Sequence, residues 1–229
     1  HHIDTWGMYG DKYGCIVICP ELVGTDGIFG AGAVYDMKEN EERILSILSS
    51  LSYPYNLDRA NIMITGFSGG GFPVYWVGLR HPDIFSAVIA QNCNFNQGNT
   101  DGWFPRAATK IPVMIYYGQN DPLTIKVQSK NGIEYLRSKG FTVKTRVIRR
   151  ERTGHDRHPE IAMEFFKQNW RTPDGTNRQG RAGPEVRIAT SENAGFTKID
   201  GSAGNGSEPT VLTDGGGTGS DHSMAYVGK

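Results

Sequence analysis

The sequence lacks the features that mark several large classes of protein. Lys and Arg together number 24, as do Asp and Glu, so the formal net charge of the 229 residues is zero. Such a balance provides neither a basic surface for a nucleic acid nor an acidic, disordered tail. No apolar run approaches the roughly 20 residues that a membrane-spanning helix needs. We therefore expect no nucleic acid partner and no membrane span.

Cysteine is also scarce, and the three cysteines are Cys15, Cys19 and Cys93. An odd number at irregular spacing is no disulfide framework, and no Cys-x-x-Cys pair indicates a zinc site. No two histidines or carboxylates have metal-ligand spacing beside a predicted strand end. The sequence therefore predicts no metal and no cofactor. Cys15 and Cys19 flank a strand-like run and are expected to be buried free thiols, although the disulfide state of the three cysteines stays open.

Residues 1–170 alternate between strand-like and helix-like patterns, which is enough chain for one domain with a sizeable core. Short β-rich runs predict strands at Cys15–Cys19, Ile62–Thr65, Ser86–Gln91, Val113–Tyr117 and Phe141–Ile148. Segments of helical period predict helices at 6–13, from Asp36, at 71–79, at 123–139 and from Pro159. Asp36 and Glu39 have the spacing of a capping box at the start of the second of these helices. Alternating strands and helices imply parallel strands with right-handed crossovers. We predict an α/β fold with a mostly parallel sheet and helices on both faces.

Residues 171–229 differ in composition, because they hold 12 of the 30 glycines and few aromatic residues. Val186–Thr190 and Thr210–Leu212 could form strands. Residues 216–221 match the start of a calcium-binding Gly-Gly-x-Gly-x-Asp repeat, but one imperfect copy of a stacking repeat is more typical of a linker. We predict a partial catalytic domain at 1–170, followed by a linker or a truncated β-rich module at 171–229.

The pattern Gly-x-Ser-x-Gly occurs once, at Gly66-Phe67-Ser68-Gly69-Gly70. A predicted strand precedes it and a predicted helix follows, so Ser68 lies at the turn between them, as in a nucleophile elbow. Small neighbours suit a strained serine, and the start of a helix favours developing negative charge. The alternative is a glycine-rich turn with a solvated serine. We predict Ser68 as a nucleophile.

A nucleophilic serine needs a base, and the base needs a partner that orients it. Asp121 follows the predicted strand 113–117, and His155 follows the predicted strand 141–148. The carboxyl ends of parallel strands are where α/β active sites lie. The order Ser, acid, His along the chain therefore predicts Ser68, Asp121 and His155 as nucleophile, acid and base.

Each partner has an alternative. Asp121 could be a turn residue, because it directly precedes Pro122. His158 is the rival base, but it precedes Pro159 and is therefore expected at the start of the last helix. His81 is expected at a helix end with a structural role.

Residues 1–170 resemble the α/β-hydrolase superfamily. They look most like secreted esterases of the polyhydroxybutyrate-depolymerase and feruloyl-esterase type, with prolyl-oligopeptidase-like hydrolases next. The resemblance rests on four stretches, 13–21, Gly66–Gly71, Tyr117–Pro122 and Gly154–Asp156. It implies that Ser68 attacks an ester carbonyl, that His155 transfers the proton, and that Asp121 orients His155. It also implies that the backbone N–H of Gly69 donates to the oxyanion, and an extracellular or periplasmic location.

One departure from the family concerns the start of the chain. Members have about three strands before the equivalent of Cys15–Cys19, and a His-Gly loop that donates the second oxyanion N–H. Here His1-His2 is not followed by glycine. We therefore expect the domain to lack its first strands, and an oxyanion hole with one donor missing costs on the order of 100- to 1000-fold in rate.

Aromatic residues near the predicted strand ends are candidates for the substrate pocket. Phe67 adjoins the serine, and the loop 92–106 carries Phe95, Trp103 and Phe104. We expect Phe67, Trp103 and Phe104 to bind an acyl or aryl group, with Phe95 on the same wall. The alternative is that the loop aromatics pack on their own scaffold.

The sequence thus predicts a serine hydrolase that cleaves small or polymeric carboxylic esters through an acyl-enzyme on Ser68. Two alternatives stay open: a prolyl-oligopeptidase-like serine peptidase, and a non-catalytic relative that binds a ligand or partner. The tail could also begin a module that binds carbohydrate or another surface. Neither the acyl and alcohol groups nor the oligomeric state follow from the sequence.

Overall fold

A computed structural model describes residues 2–23, 33–51, 55, 57–100, 109–152, 158–171 and 223–228. In these ranges one six-stranded sheet carries five α-helices. In chain order the elements are α1 (His2–Tyr13), β1 (Cys15–Ile18), α2 (Ala33–Leu51), β2 (Asp58–Ser68), α3 (Gly71–Arg80), β3 (Ala87–Cys93), β4 (Val113–Gly118), α4 (Leu123–Ser138), β5 (Val143–Ile148), α5 (Pro159–Gln168) and β6 (Ser223–Gly228). None of the described helices is long and apolar enough to cross a membrane.

The strand order in the sheet is β1-β6-β2-β3-β4-β5. Strands β2 to β5 are parallel to one another, whereas β6 is antiparallel to both β1 and β2. Strands β3 and β4 are buried along their whole length, as a parallel sheet covered on both faces requires. Strand β5 lies at the sheet edge, where its exposed Lys144 and Arg146 discourage pairing with another chain.

Helices cover both faces of the sheet, and two hydrophobic clusters separate by face. The strand residues alternate between the clusters, as the twofold period of a strand demands: Ile62 and Ile64 belong to one, Met63 to the other. The first cluster contains residues of α2, α3 and α4, and the second contains residues of α1 and α5. The predicted α/β sheet with helices on both faces is confirmed.

All five predicted strands are present, with ends shifted by up to four residues. The predicted helix from 123 to 139 is also present, and Gly140 follows it with a left-handed φ of 82° that ends the helix as glycine does. One detail is wrong: α2 begins at Ala33, so Asp36 lies inside the helix and does not cap it. A spacing of three is shared by capping boxes and by helix interiors, so Asp36 and Glu39 alone could not locate the start.

The tail contributes a strand that the sequence did not predict. Strand β6 pairs through its backbone with β1 on one side and β2 on the other. The candidate strands Val186–Thr190 and Thr210–Leu212, and the glycine-rich repeat at 216–221, lie outside the described residues. The division of the chain at residue 170 stays a prediction.

Candidate active site

Ser68 is the last residue of β2, and α3 begins three residues later. Its φ is 51°, a left-handed conformation that is strained for a residue other than glycine. The turn is held by backbone hydrogen bonds from Gly70 N–H to Phe67 C=O at 2.9 Å and from Phe72 N–H to Gly69 C=O at 3.2 Å. Gly69, whose N–H is predicted to donate to the oxyanion, directly follows Ser68 in this turn, and that role stays a prediction.

Glycines on either side of Ser68 allow a close approach of strand and helix. A Cβ at Gly66 would lie 2.6 Å from Cγ2 of Val74 and 2.8 Å from the carbonyl oxygen of Gly70. A Cβ at Gly71 would lie 2.6 Å from Cβ of Cys93, and closer still to the Asn94 carbonyl oxygen. Real Cβ atoms do not approach so closely, so a side chain at either position would push α3 away from the sheet.

The neighbouring strand β3 fixes the turn from the side. The Asn94 N–H donates to the Ser68 carbonyl at 2.8 Å, and the Cys93 thiol donates to the Gly66 carbonyl at 3.0 Å. Burial strongly raises the pKa of the Cys93 thiol, so it stays protonated and able to donate. None of the three cysteines forms a disulfide; Cys93 is buried, whereas Cys15 and Cys19, which were expected to be buried, are half-buried.

Asp121 lies three residues beyond the end of β4, and its side chain is only 3% exposed. Its Oδ2 accepts a hydrogen bond from the Gly118 N–H at 2.6 Å, and its own N–H donates to the Gly118 carbonyl at 3.1 Å. The carboxylate is therefore held by the strand end that precedes it. A turn residue in contact with solvent need not be buried, so the deep burial of Asp121 disfavours the alternative that it serves only the turn.

Ser68 and Asp121 lie at the carboxyl ends of β2 and β4. These ends are on the same side of the sheet, because both strands are parallel to β3, which lies between them. Two strand spacings amount to about 10 Å. His155 lies outside the described residues. It belongs to the segment that joins the carboxyl end of β5, the next strand in the sheet, to α5.

Strained backbone conformations occur near the carboxyl ends of the parallel strands. The described non-glycine residues with positive φ are Ser68, Asn92, Arg150 and His158. The first two lie at the ends of β2 and β3, and Arg150 lies two residues beyond β5. Strained residues of this kind cluster at functional sites, where the surrounding structure must hold them.

His158 lies at the N-cap of α5, as predicted. Its Nε2 is 2.7 Å from Oε2 of Glu151, and its Nδ1 is 3.0 Å from Oε1 of Glu160. Partial burial would lower the pKa of His158, but the hydrogen bonds and charges of the two glutamates outweigh burial and raise it. A ring with a carboxylate at each nitrogen has no free position for a serine proton, which argues against the rival base.

The predicted pocket residues have different outcomes. Phe95 is 6% exposed and packs against Tyr75 and Tyr135, with ring centroids 5.2 and 5.7 Å away. This packing favours the alternative that Phe95 packs on its own scaffold, and its place in a pocket wall stays a prediction. Phe67 is buried in β2, and Trp103 and Phe104 lie outside the described residues. A substrate-binding role for these three stays a prediction.

One cluster of polar residues was missed. Glu41 of α2 accepts a hydrogen bond from Trp76 Nε1 at 2.7 Å, and it pairs with Arg80 and His81 at the end of α3. Burial would raise the pKa of Glu41, but these hydrogen bonds and the Arg80 charge outweigh it and lower it. The cluster joins α2 to the helix that follows Ser68, and it confirms a structural role for His81. The sequence did contain an indication of this cluster: Glu41 lies four residues after the apolar Met37, so a buried carboxylate on that face of the helix could have been predicted.

Metal ligands are not grouped among the described residues, where no three His, Cys, Asp or Glu side chains could hold an ion together.

Known proteins resemble this chain in part of its sequence and in its fold. The profile of the prolyl oligopeptidase family matches residues 14–105, and no curated protein matches the sequence. Among solved structures, the esterase PE8 is 20% identical with a TM-score of 0.50, over 59% of this chain and 63% of its own. SOBER1 from Arabidopsis thaliana is 16% identical with a TM-score of 0.50, over 59% of this chain and 65% of its own. At these identities the likeness shows the fold, and this chain spans less than two thirds of either protein.

The family match includes Ser68 and ends beyond its turn. The chain has the fold of these esterases, and its residues 14–105 are similar to the prolyl oligopeptidase family.

Proposed function

We propose that this protein is a serine hydrolase that cleaves carboxylic esters through an acyl-enzyme on Ser68. The observation that carries the proposal is the left-handed φ of 51° at Ser68, in a strand-to-helix turn with no room for side chains at Gly66 and Gly71. A left-handed serine costs stability, so its presence between two closely packed glycines supports a functional role. In a nucleophile elbow this conformation exposes the serine hydroxyl at the ends of the strands.

The proposed reaction uses residues at one edge of the sheet. Ser68 Oγ forms a bond to the ester carbonyl carbon while His155 accepts its proton. The N–H of Gly69, at the start of α3, donates to the oxyanion. His155 then protonates the departing alcohol, and Asp121 orients the imidazole. A water molecule then attacks the carbonyl carbon of the acyl-enzyme while His155 accepts its proton. His155 returns the proton to Ser68 Oγ as the carboxylic acid is released.

Labelling with a fluorophosphonate probe tests the nucleophile directly. We expect one adduct, located on Ser68 by mass spectrometry, and none in Ser68→Ala. His155→Ala should slow labelling by several orders of magnitude, whereas His158→Ala should leave a measurable rate. Absence of an adduct on a folded wild-type chain would contradict the proposal and favour the non-catalytic alternative.

A peptidase is the second candidate, and the match to the prolyl oligopeptidase family favours it. Ester and amide substrates with the same acyl group separate the two. An esterase should turn over the p-nitrophenyl ester of N-blocked proline and leave the p-nitroanilide of the same acyl group intact. Turnover of the anilide, with inhibition by a peptidyl-proline analogue, would replace the ester proposal.

Phe67, Trp103 and Phe104 are the residues we propose for the acyl or aryl pocket. They flank, in sequence, the serine turn and the strand β3 that adjoins it. Trp103→Ala should change the preference across acyl chain lengths. Unchanged preference would remove Trp103 from the pocket.

A further inference from the structure

The residue that follows β3 holds the serine turn. Asn94 donates its backbone N–H to the Ser68 carbonyl at 2.8 Å. Its backbone also fills the space beside Gly71, where an added Cβ would lie 2.9 Å from the Asn94 nitrogen. Asn94 thus contacts the turn at the serine and at the start of α3, so a displacement of Asn94 would displace Ser68.

An irregularity in the pairing of β2 with β3 makes Asn94 the donor. The register shifts by one residue between Phe67 and Ser68, at a point where Asn92 of β3 has a left-handed φ of 49°. In a regular parallel ladder the donor to the Ser68 carbonyl would lie one residue earlier in β3. Bulges of this kind redirect a strand and are frequent next to active sites.

A side chain of α4 in turn holds Asn94. Gln128 Oε1 accepts a hydrogen bond from Asn94 Nδ2 at 2.9 Å and another from the Phe95 N–H at 3.0 Å. A backbone N–H can only donate, so the oxygen of the Gln128 amide must face Phe95, and the Asn94 atom that contacts this oxygen must be its nitrogen. Asn94 and Phe95 are both buried, so loss of this acceptor would leave buried donors unpaired.

Helix α4 is also the helix that follows the proposed acid. It begins at Leu123, two residues after Asp121, and Gln128 lies in its second turn. One turn further on, an added Cβ at Gly132 would lie 3.1 Å from Cγ of Phe95, so α4 approaches the same segment at two successive turns. Gln128 therefore connects the helix after the acid to the residue that holds the nucleophile.

The contact at the Ser68 carbonyl also orients a peptide group. The peptide bond between Ser68 and Gly69 is trans, and in a planar trans peptide the C=O and N–H point in opposite directions. Because the Ser68 carbonyl accepts from Asn94, the Gly69 N–H of the same peptide points away from Asn94. That N–H is the donor proposed for the oxyanion, so the position of Asn94 determines its direction.

We propose that Gln128 is a positioning residue, which fixes Ser68 and the Gly69 N–H relative to the helix after Asp121 by holding Asn94. The inference rests on the proposed function, since it takes Ser68 as the nucleophile and Asp121 as the acid. Because Gln128 acts through Asn94, its loss should slow the attack of Ser68 and leave the binding of the substrate unchanged.

Two substitutions separate the acceptor of Gln128 from the length of its side chain. Gln128→Met keeps the length but has no comparable acceptor, and it should slow fluorophosphonate labelling of Ser68 by about 10- to 100-fold, as expected for a nucleophile displaced by up to 1 Å. The loss should appear in the labelling rate at saturating probe, with the half-saturating probe concentration unchanged. Gln128→Glu keeps an acceptor for both donors and should stay within about threefold of the wild-type rate.

Asn61→Leu is the matched control. The buried side-chain amide of Asn61 accepts from the Arg171 N–H at 2.7 Å and donates to the Arg171 carbonyl at 3.0 Å. Asn61 lies seven residues before Ser68 in β2, roughly 20 Å from it. Asn61→Leu and Gln128→Met should both lower the free energy of unfolding in urea, whereas Asn61→Leu should keep the wild-type labelling rate.

Three results would overturn the positioning role. The first is labelling of folded Gln128→Met at the wild-type rate. The second is equal slowing in Gln128→Met and Gln128→Glu, because the acceptor would then be irrelevant. The third is equal slowing in Gln128→Met and Asn61→Leu, because a general loss of stability would then explain the effect.

Hydrogen–deuterium exchange gives a readout that does not need activity. The amides of Asn94 and Phe95 should exchange about 10-fold faster or more in Gln128→Met than in wild type, and Gln128→Glu should match wild type. Unchanged exchange in Gln128→Met would overturn the inference. If wild type is not labelled, the proposed function fails, and the exchange of these amides alone decides whether Gln128 holds the residue that contacts Ser68.

Discussion

Gly71→Ala offers a sharp test of how the serine turn is built. The added Cβ would lie 2.6 Å from Cβ of Cys93 and 2.9 Å from the backbone nitrogen of Asn94. Carbon atoms in contact prefer about 3.5–4.0 Å, so α3 must move by roughly 1 Å relative to β3. Overpacking of this kind costs about 1–3 kcal/mol, and the obstacle here is largely backbone that cannot rotate away.

Two measurements follow from that displacement. The free energy of unfolding in urea should fall by about 2 kcal/mol, equivalent to a decrease in Tm of roughly 4–8 °C for a chain of this size. The labelling rate of Ser68 should fall by about 100-fold, because a 1 Å shift of the nucleophile spoils its alignment.

Gly98→Ala is the matched control for this substitution. Gly98 is exposed, and the nearest atom to its added Cβ is the Asn96 side-chain oxygen at 3.3 Å, which can move. We expect a change within about 0.5 kcal/mol and an unchanged labelling rate. If Gly71→Ala behaves like Gly98→Ala in both assays, the close approach of α3 to β3 does not determine the serine geometry.

Three further substitutions have defined outcomes. Glu41→Gln should cost about 2 kcal/mol or more near neutral pH, since it leaves buried donors poorly paired. Because the folded-state pKa of Glu41 is lowered, that difference should persist above about pH 5 and shrink as the pH falls through the folded pKa, which urea unfolding at several pH values would show. Asp121→Asn should slow Ser68 labelling by about 1000-fold or more with little loss of secondary structure, and a rate near wild type would remove Asp121 from the site. Phe95→Ala should lower the free energy of unfolding by about 3–5 kcal/mol and leave the preference for acyl chain length unchanged. A changed preference in the folded variant would assign Phe95 to the pocket.

The sequence predicted best where one physical signal dominates. Strands Val113–Gly118 and Ala87–Cys93 are buried on both faces, and such strands show as short apolar runs between turn residues. The helix from Leu123 has a clear apolar face and a glycine at its end. The position of Ser68 at a strand-to-helix turn was likewise predicted from a local pattern.

What the sequence did not predict depends on contacts between distant residues. Strand β6 reads Ser-Met-Ala-Tyr-Val-Gly within a glycine-rich tail, and only its partners in the sheet define it as a strand. The contact between His158 and Glu151 joins residues seven positions apart, and no local pattern indicates it. Phe95 could not be distinguished from a pocket residue, because an aromatic residue after a strand end packs inward or outward according to its tertiary neighbours.

The place of β6 in the sheet also imposes an order on biosynthesis. In the part of the chain that the structure describes, β1 has β6 as its strand partner, and 205 residues separate Ile18 from Ser223. At about 5–20 residues per second, the ribosome needs roughly 10–40 s to supply that partner. During this interval the edges of β1 and β2 that face β6 lack this partner, and unpaired strand edges can pair with other chains. A nascent molecule of this protein should therefore be a prolonged client of ribosome-associated chaperones, until residues 223–228 emerge.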